Sequence, residues 1–160
     1  MLNKKVVDKK SIVYNYVYLM KKIAYLVFSI LLLSAGHFLA LKLGMYEGNV
    51  WIDIPLHFFG GVILGTAWLW FMQRQNMQQF FGSPSGLFVG LSVAAFALFG
   101  SFVWELFELA FSTWAEEYAH AVKWYSLSAS DALTDMLAGL TGGAVVAVAC
   151  KENLFIIAEE

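Results

Sequence analysis

Two glutamates, Glu105 and Glu108, follow a run that carries no charged residue from Gly86 to Trp104, and the apolar pattern resumes beyond them at Leu109-Ala110-Phe111. Residues three apart share a face of an α-helix, so both acids point the same way. Other groups have the chemistry to join them. Asp53 and His57 stand one helical turn apart, as do Asp131 and Asp135, and His37 lies inside the first apolar run. Carboxylates with an imidazole are a donor set for a divalent cation, since hard cations take oxygen ligands and imidazole suits zinc, iron or manganese. His57, Glu105, Glu108 and Asp135 are the leading ligand or metal candidates, with Asp53, Asp131 and His37 as a second tier. None is assigned a catalytic role.

The elements that must position these residues are apolar helices. Hydrophobic residues make up 60% of the 160-residue chain and charged residues only 14%, against roughly 45–50% and 25% in soluble domains. The net charge of −2, without any basic-aromatic stripe, argues against a nucleic-acid partner. The single cysteine, Cys150, has no internal partner for a disulfide. Four spans are predicted at about 23–43, 54–72, 87–111 and 132–150, each near the roughly 20 residues that cross a bilayer. Residues 1–22 form a basic tail, 23–153 the transmembrane domain and 154–160 a short end. Met20-Lys21-Lys22 also reads as a start codon with a charged n-region, which would make residues 1–19 an over-called extension. A signal peptide competes for the first run, with Ser34-Ala35-Gly36 as its small residues, but the run continues through Phe38-Leu39-Ala40-Leu41 and reaches spanning length. The fold expected is all-α: a bundle of four transmembrane helices.

Orientation follows from the basic residues. Six lysines in the N-terminal tail, Arg74 and Lys151 make eight on one side, against Lys42 and Lys123 on the other. The positive-inside rule places both termini in the cytoplasm and the protein in the plasma (inner) membrane. Spans two and four then begin outside and span three ends outside, so the candidate groups converge in the outer half. Helical phase agrees. Asp53, His57, Gly60/Gly61 and Leu64 share one face, as do Ser101, Glu105, Glu108 and Ser112, and Asp131, Asp135, Ala138/Gly139, Gly142 and Val146. Gly61 with Gly65, and Gly139 with Gly143, suit close helix packing in lipid.

Plainer readings exist for several of these residues. Asp53 and Asp131 precede helices and read most readily as N-caps. His37 alone fits a hydrogen-bonded core histidine, His120 with Glu116 and Glu117 a solvated loop, and Trp104 and Trp114 an interfacial belt. Asp135, Glu105 and Glu108 lie deeper, where insertion costs up to roughly 2.5–3.5 kcal/mol per acid at full depth. A bound divalent metal, protonation of some acids, or a wet cavity that receives a polar headgroup or cationic ligand would each compensate them.

The chain resembles the VanZ-like group of small membrane proteins, and more closely its YjdF-type relatives. The resemblance is carried by Asp53-Ile-Pro-Leu-His57-Phe58-Phe-Gly60-Gly61, by Trp104-Glu105-Leu-Phe-Glu108, and by Asp131-Ala-Leu-Thr-Asp135-Met-Leu-Ala-Gly139 through Gly142. It covers spans two to four, about half of the chain, and implies an envelope role at the outer leaflet with no defined activity.

The residues thus point to an integral membrane protein whose partners are the bilayer and an envelope lipid or small ligand, with a homo-oligomer also open. Binding of a divalent cation or polar headgroup is the leading expectation, and the balance leans against an enzyme. A metal-dependent intramembrane hydrolase is one alternative, but the adjacent Glu-Glu and extra helix-borne histidines of CAAX-type proteases are missing. A small proton-coupled or ion transporter working as an oligomer is the other. The one cofactor the donor set suggests is a divalent metal.

Overall fold

The computed structural model describes residues 9–46, 50–73, 84–117 and 128–150. They form four α-helices: α1 (Lys9–Lys42), α2 (Asp53–Met72), α3 (Gly86–Trp114) and α4 (Ala129–Ala149), with a single 3-10 turn at Val50–Ile52 leading into α2. No strand occurs among the described residues. Each helix is long and apolar enough to cross a bilayer, the stretch in α1 being Tyr16–Lys42.

Helix boundaries differ from the hydrophobic runs at α1, α3 and α4, the last opening at Ala129 behind its Ser128 cap. α1 is helical from Lys9 on, well before the apolar run at Ile23, and the intervening residues contain no glycine or proline to stop a helix. α3 continues past Phe111 to Trp114. There Ser112 and Thr113 donate their hydroxyls to the Leu109 carbonyl at 3.0 and 2.7 Å, so polar side chains are satisfied without leaving the helix.

The capping readings of Asp53 and Asp131 do not hold. Ile52 occupies the N-cap position of α2, and no side chain caps that end. Asp53 is already inside the first turn, where its carboxylate faces the helix's positive end. At α4 the N-cap is Ser128, whose hydroxyl accepts from the Asp131 backbone N–H at 3.2 Å. Ser85 does the same for α3, accepting from Phe88 N–H at 3.2 Å.

α2, α3 and α4 pack mutually, while α1 packs mainly along α2. The buried stripe of each inner helix passes from polar to small to branched residues. On α2 it is His57, Gly61, Gly65, Leu69 and Met72; on α4 it is Asp135, Gly139, Gly142, Gly143 and Val146. On α3, running the other way, it is Val89, Val93, Ala97, Ser101 and Glu108. The glycines let backbones touch. A Cβ on Gly61 would collide with the Gly139 carbonyl, and one on Gly142 with the Phe58 carbonyl. At the apolar end, Leu69, Val89, Val93 and Val146 form the core, and Trp68 donates its indole N–H to Ser92 Oγ at 3.0 Å, pinning α2 to α3. Outward-facing residues such as Phe28, Leu32, Phe99 and Val148 are exposed in the monomer, which suits a lipid-facing surface.

Candidate functional site

Opposite the valine core, at the end where α2 and α4 begin and α3 finishes, the three stripes bring charged groups together. His57 and Asp135 are 6% and 2% exposed and Glu108 is 7% exposed, so all three lie essentially out of solvent. His57 is the hub. Its Nε2 lies 3.8 Å from Asp53 Oδ1, one turn earlier on α2, and 3.5 Å from Glu105 Oε1 on α3. Neither contact has hydrogen-bond geometry, and among the described residues His57 Nε2, Glu105 Oε1 and Asp135 Oδ1 are buried without a hydrogen-bond partner. An unsatisfied buried polar atom costs on the order of 1–3 kcal/mol, more when charged. Three such atoms come together at this end of the bundle.

The donors fall into two sets. Asp53, His57 and Glu108 can each offer one ligand atom within 4.8 Å of the others, and so can His57, Glu105 and Asp135. Two donors bonded to one ion at about 2.3–2.6 Å lie at most about 5 Å apart, so either set fits around a single cation. No lysine or arginine among the described residues lies within ion-pair distance of Asp53, Glu105 or Asp135. Lys42, the basic residue nearest Asp53 in sequence, is exposed at the end of α1.

Around the donors lies a shell of aromatic contacts. Trp104, 40% exposed, fits the lipid interface, yet its indole N–H also donates to Glu108 Oε1 at 2.8 Å, one turn along α3. That bond holds the carboxylate in one orientation. The His37 ring meets the Trp104 ring edge-on at 6.0 Å, and its Nδ1 pairs with the Tyr46 hydroxyl at 2.9 Å. His37 therefore stands one residue removed from Glu108 and belongs to neither donor set. Asp131 is half-buried in the first turn of α4 and is likewise outside both sets. Glu116, Glu117 and Trp114 are exposed, and His120 lies outside the described residues.

Tyr46 carries no sequence signal that marks it as part of this region; the turn after α1 puts it there. Gly44 adopts φ 64°, its N–H bonds Leu41 O at 3.0 Å, and Met45 N–H bonds Ala40 O at 3.0 Å. This is the Schellman end of a helix, which reverses the chain and needs glycine at the left-handed position. It folds Tyr46 back against His37. There burial, and then the negative fields of Asp53, Glu108 and Asp135, push the phenol's pKa well above its ordinary value.

No curated protein and no solved structure matches this chain. One family does: that described as "Predicted membrane protein (DUF2238)" matches residues 12–152. The chain, with four membrane-length helices and a carboxylate–histidine cluster at one end of the bundle, belongs to that family.

Proposed function

We propose that the protein is a cation-binding component of the cell envelope. Its site, in the outer half of the plasma membrane, takes a divalent metal through His57 and the carboxylates of Asp53, Glu105, Glu108 and Asp135. The observation that carries this reading is the buried, unsatisfied Nε2 of His57 lying between acids from separate helices, with Asp135 Oδ1 equally buried and unsatisfied. Several carboxylates in one low-dielectric place repel one another unless protons or a cation neutralise them. An imidazole nitrogen beside them favours a cation that accepts mixed nitrogen and oxygen ligands. The resemblance to VanZ-like and YjdF-type proteins supports an envelope setting, and the distribution of lysine and arginine supports the outward-facing placement.

The test is isothermal titration of the chelator-treated, detergent-purified protein with Mn²⁺ and Zn²⁺, wild type beside His57→Gln. Saturable binding in the wild type, lost in a variant that keeps its helical circular dichroism, supports the proposal. A wild type that binds neither ion defeats it and turns attention to a zwitterionic headgroup or to carboxyl protons.

A further inference from the structure

The two donor sets share one histidine, and both salt-bridge contacts of that histidine involve the same atom, Nε2. A neutral imidazole nitrogen has a single lone pair and can bind one ion at a time. Both three-residue sets therefore cannot be complete together. Their positions along the helices differ as well. Asp53 opens α2, and Glu108 lies one turn nearer the end of α3 than Glu105; Asp135 is a full turn inside α4 from Asp131. Asp53 with Glu108 thus sits toward the end of the bundle and Glu105 with Asp135 deeper. Asp135 is 2% exposed with Oδ1 unsatisfied, and His57 is 6% exposed with Nε2 unsatisfied, so the deep set ends in buried atoms that bond nothing else among the described residues.

We infer that the protein holds one divalent ion per chain in two alternative seats, an outer one of Asp53 and Glu108 and a deeper one of Glu105 and Asp135, with His57 the ligand common to both. This rests on the cation-binding reading above. Rotating about its side-chain bonds, His57 can follow an ion from one carboxylate pair to the other without releasing it. Trp104 holds Glu108 through Oε1, which fixes the outer pair while the ion changes seat. The ligand class is a divalent cation that accepts both carboxylate oxygen and imidazole nitrogen, with Mn²⁺ the natural probe.

The experiment is equilibrium binding of Mn²⁺ to the full chain in detergent, read by electron paramagnetic resonance. One Mn²⁺ per wild-type chain is expected, with the uncoupled spectrum of an isolated ion, and none with His57→Gln. Asp53→Asn removes the outer seat and leaves the deeper one, lowering affinity about twofold if the seats are equally filled. Adding Glu108→Gln to Asp53→Asn then changes nothing more, whereas Asp53→Asn with Asp135→Asn breaks both seats and abolishes binding. Two ions per chain with a spin-coupled spectrum would overturn the inference and leave cation binding standing. So would equal weakening by the two double variants, which marks a single centre with every donor on one ion. Absence of Mn²⁺ from the wild type would instead remove the parent reading.

Discussion

Replacing Gly61 with alanine tests how the fold delivers the site. A Cβ on Gly61 would meet the Gly139 carbonyl oxygen, with the carbonyl carbon 2.7 Å and Cα 2.9 Å away. These are backbone atoms of a helix and cannot rotate aside. Ordinary contact begins near 3.4 Å, so α2 and α4 must separate by about 1 Å at this crossing, at a cost of about 1–3 kcal/mol. His57 lies one turn from Gly61 and Asp135 one turn from Gly139, so the same displacement pulls the donors apart. The neighbouring position is the control. A Cβ on Gly60 would meet only Leu33 Cδ2 at 3.8 Å, an ordinary contact. Gly60→Ala should leave stability unchanged or raise it by up to about 1 kcal/mol through helix propensity. The assay is reversible unfolding in mixed micelles by titration with sodium dodecyl sulfate, followed by tryptophan fluorescence, together with Mn²⁺ affinity. Equal stability of Gly61→Ala and Gly60→Ala would refute the close-contact account of how α2 and α4 pack.

The outer shell and the helix ends give further tests. Trp104→Phe keeps the ring but removes the donor to Glu108 Oε1; because Glu108 serves only the outer seat, Mn²⁺ affinity should fall by no more than the about twofold that loss of that seat costs, and a loss of about tenfold or more would contradict the two-seat arrangement. Tyr46 has its pKa raised from 10.0, so the folded state keeps this proton while the unfolded state loses it. Stability contributed by Tyr46 is therefore complete below pH 10 and falls as pH rises from there, by at most about 1.4 kcal/mol per unit before solvent screening is discounted. Tyr46→Phe should flatten that alkaline slope in the detergent-unfolding assay, and an unaltered slope would count against burial of the phenol over the acids. Ser128→Ala should cost about 0.5–2 kcal/mol by uncapping α4, whereas Asp131→Asn should leave the cap intact; a larger loss from the Asp131 change would reverse that assignment.

What was legible in the sequence was the periodic part. Apolar runs of bilayer length marked the four helices, and three- and four-residue spacing put Glu105, Glu108, Asp135 and His57 on faces that also carried glycine or serine. His57, Glu108 and Asp135 lie in the buried stripes of α2, α3 and α4, and Glu105 lies beside that of α3, half-buried. Local competition was harder to read. Asp53 and Asp131 are good capping residues by type, but Ser128 sits at the position that matters in α4 and Ile52 holds it in α2. α1 is already helical at Lys9, through polar and basic residues that the apolar run leaves out. Tyr46 reaches His37 only because Gly44 takes a left-handed turn, a tertiary consequence that no spacing rule reports. Trp104 fitted an interfacial aromatic, and its bond to Glu108 is one turn of helix that the same reading left unused.

The most direct test of the central claim is the metal content of protein purified from membranes without added metal or chelator, measured by inductively coupled plasma mass spectrometry. Close to one equivalent of a divalent metal is expected in the wild type and none in His57→Gln, with the two proteins keeping the same helical circular dichroism. Metal-free wild type, or metal retained in full by His57→Gln, would contradict it.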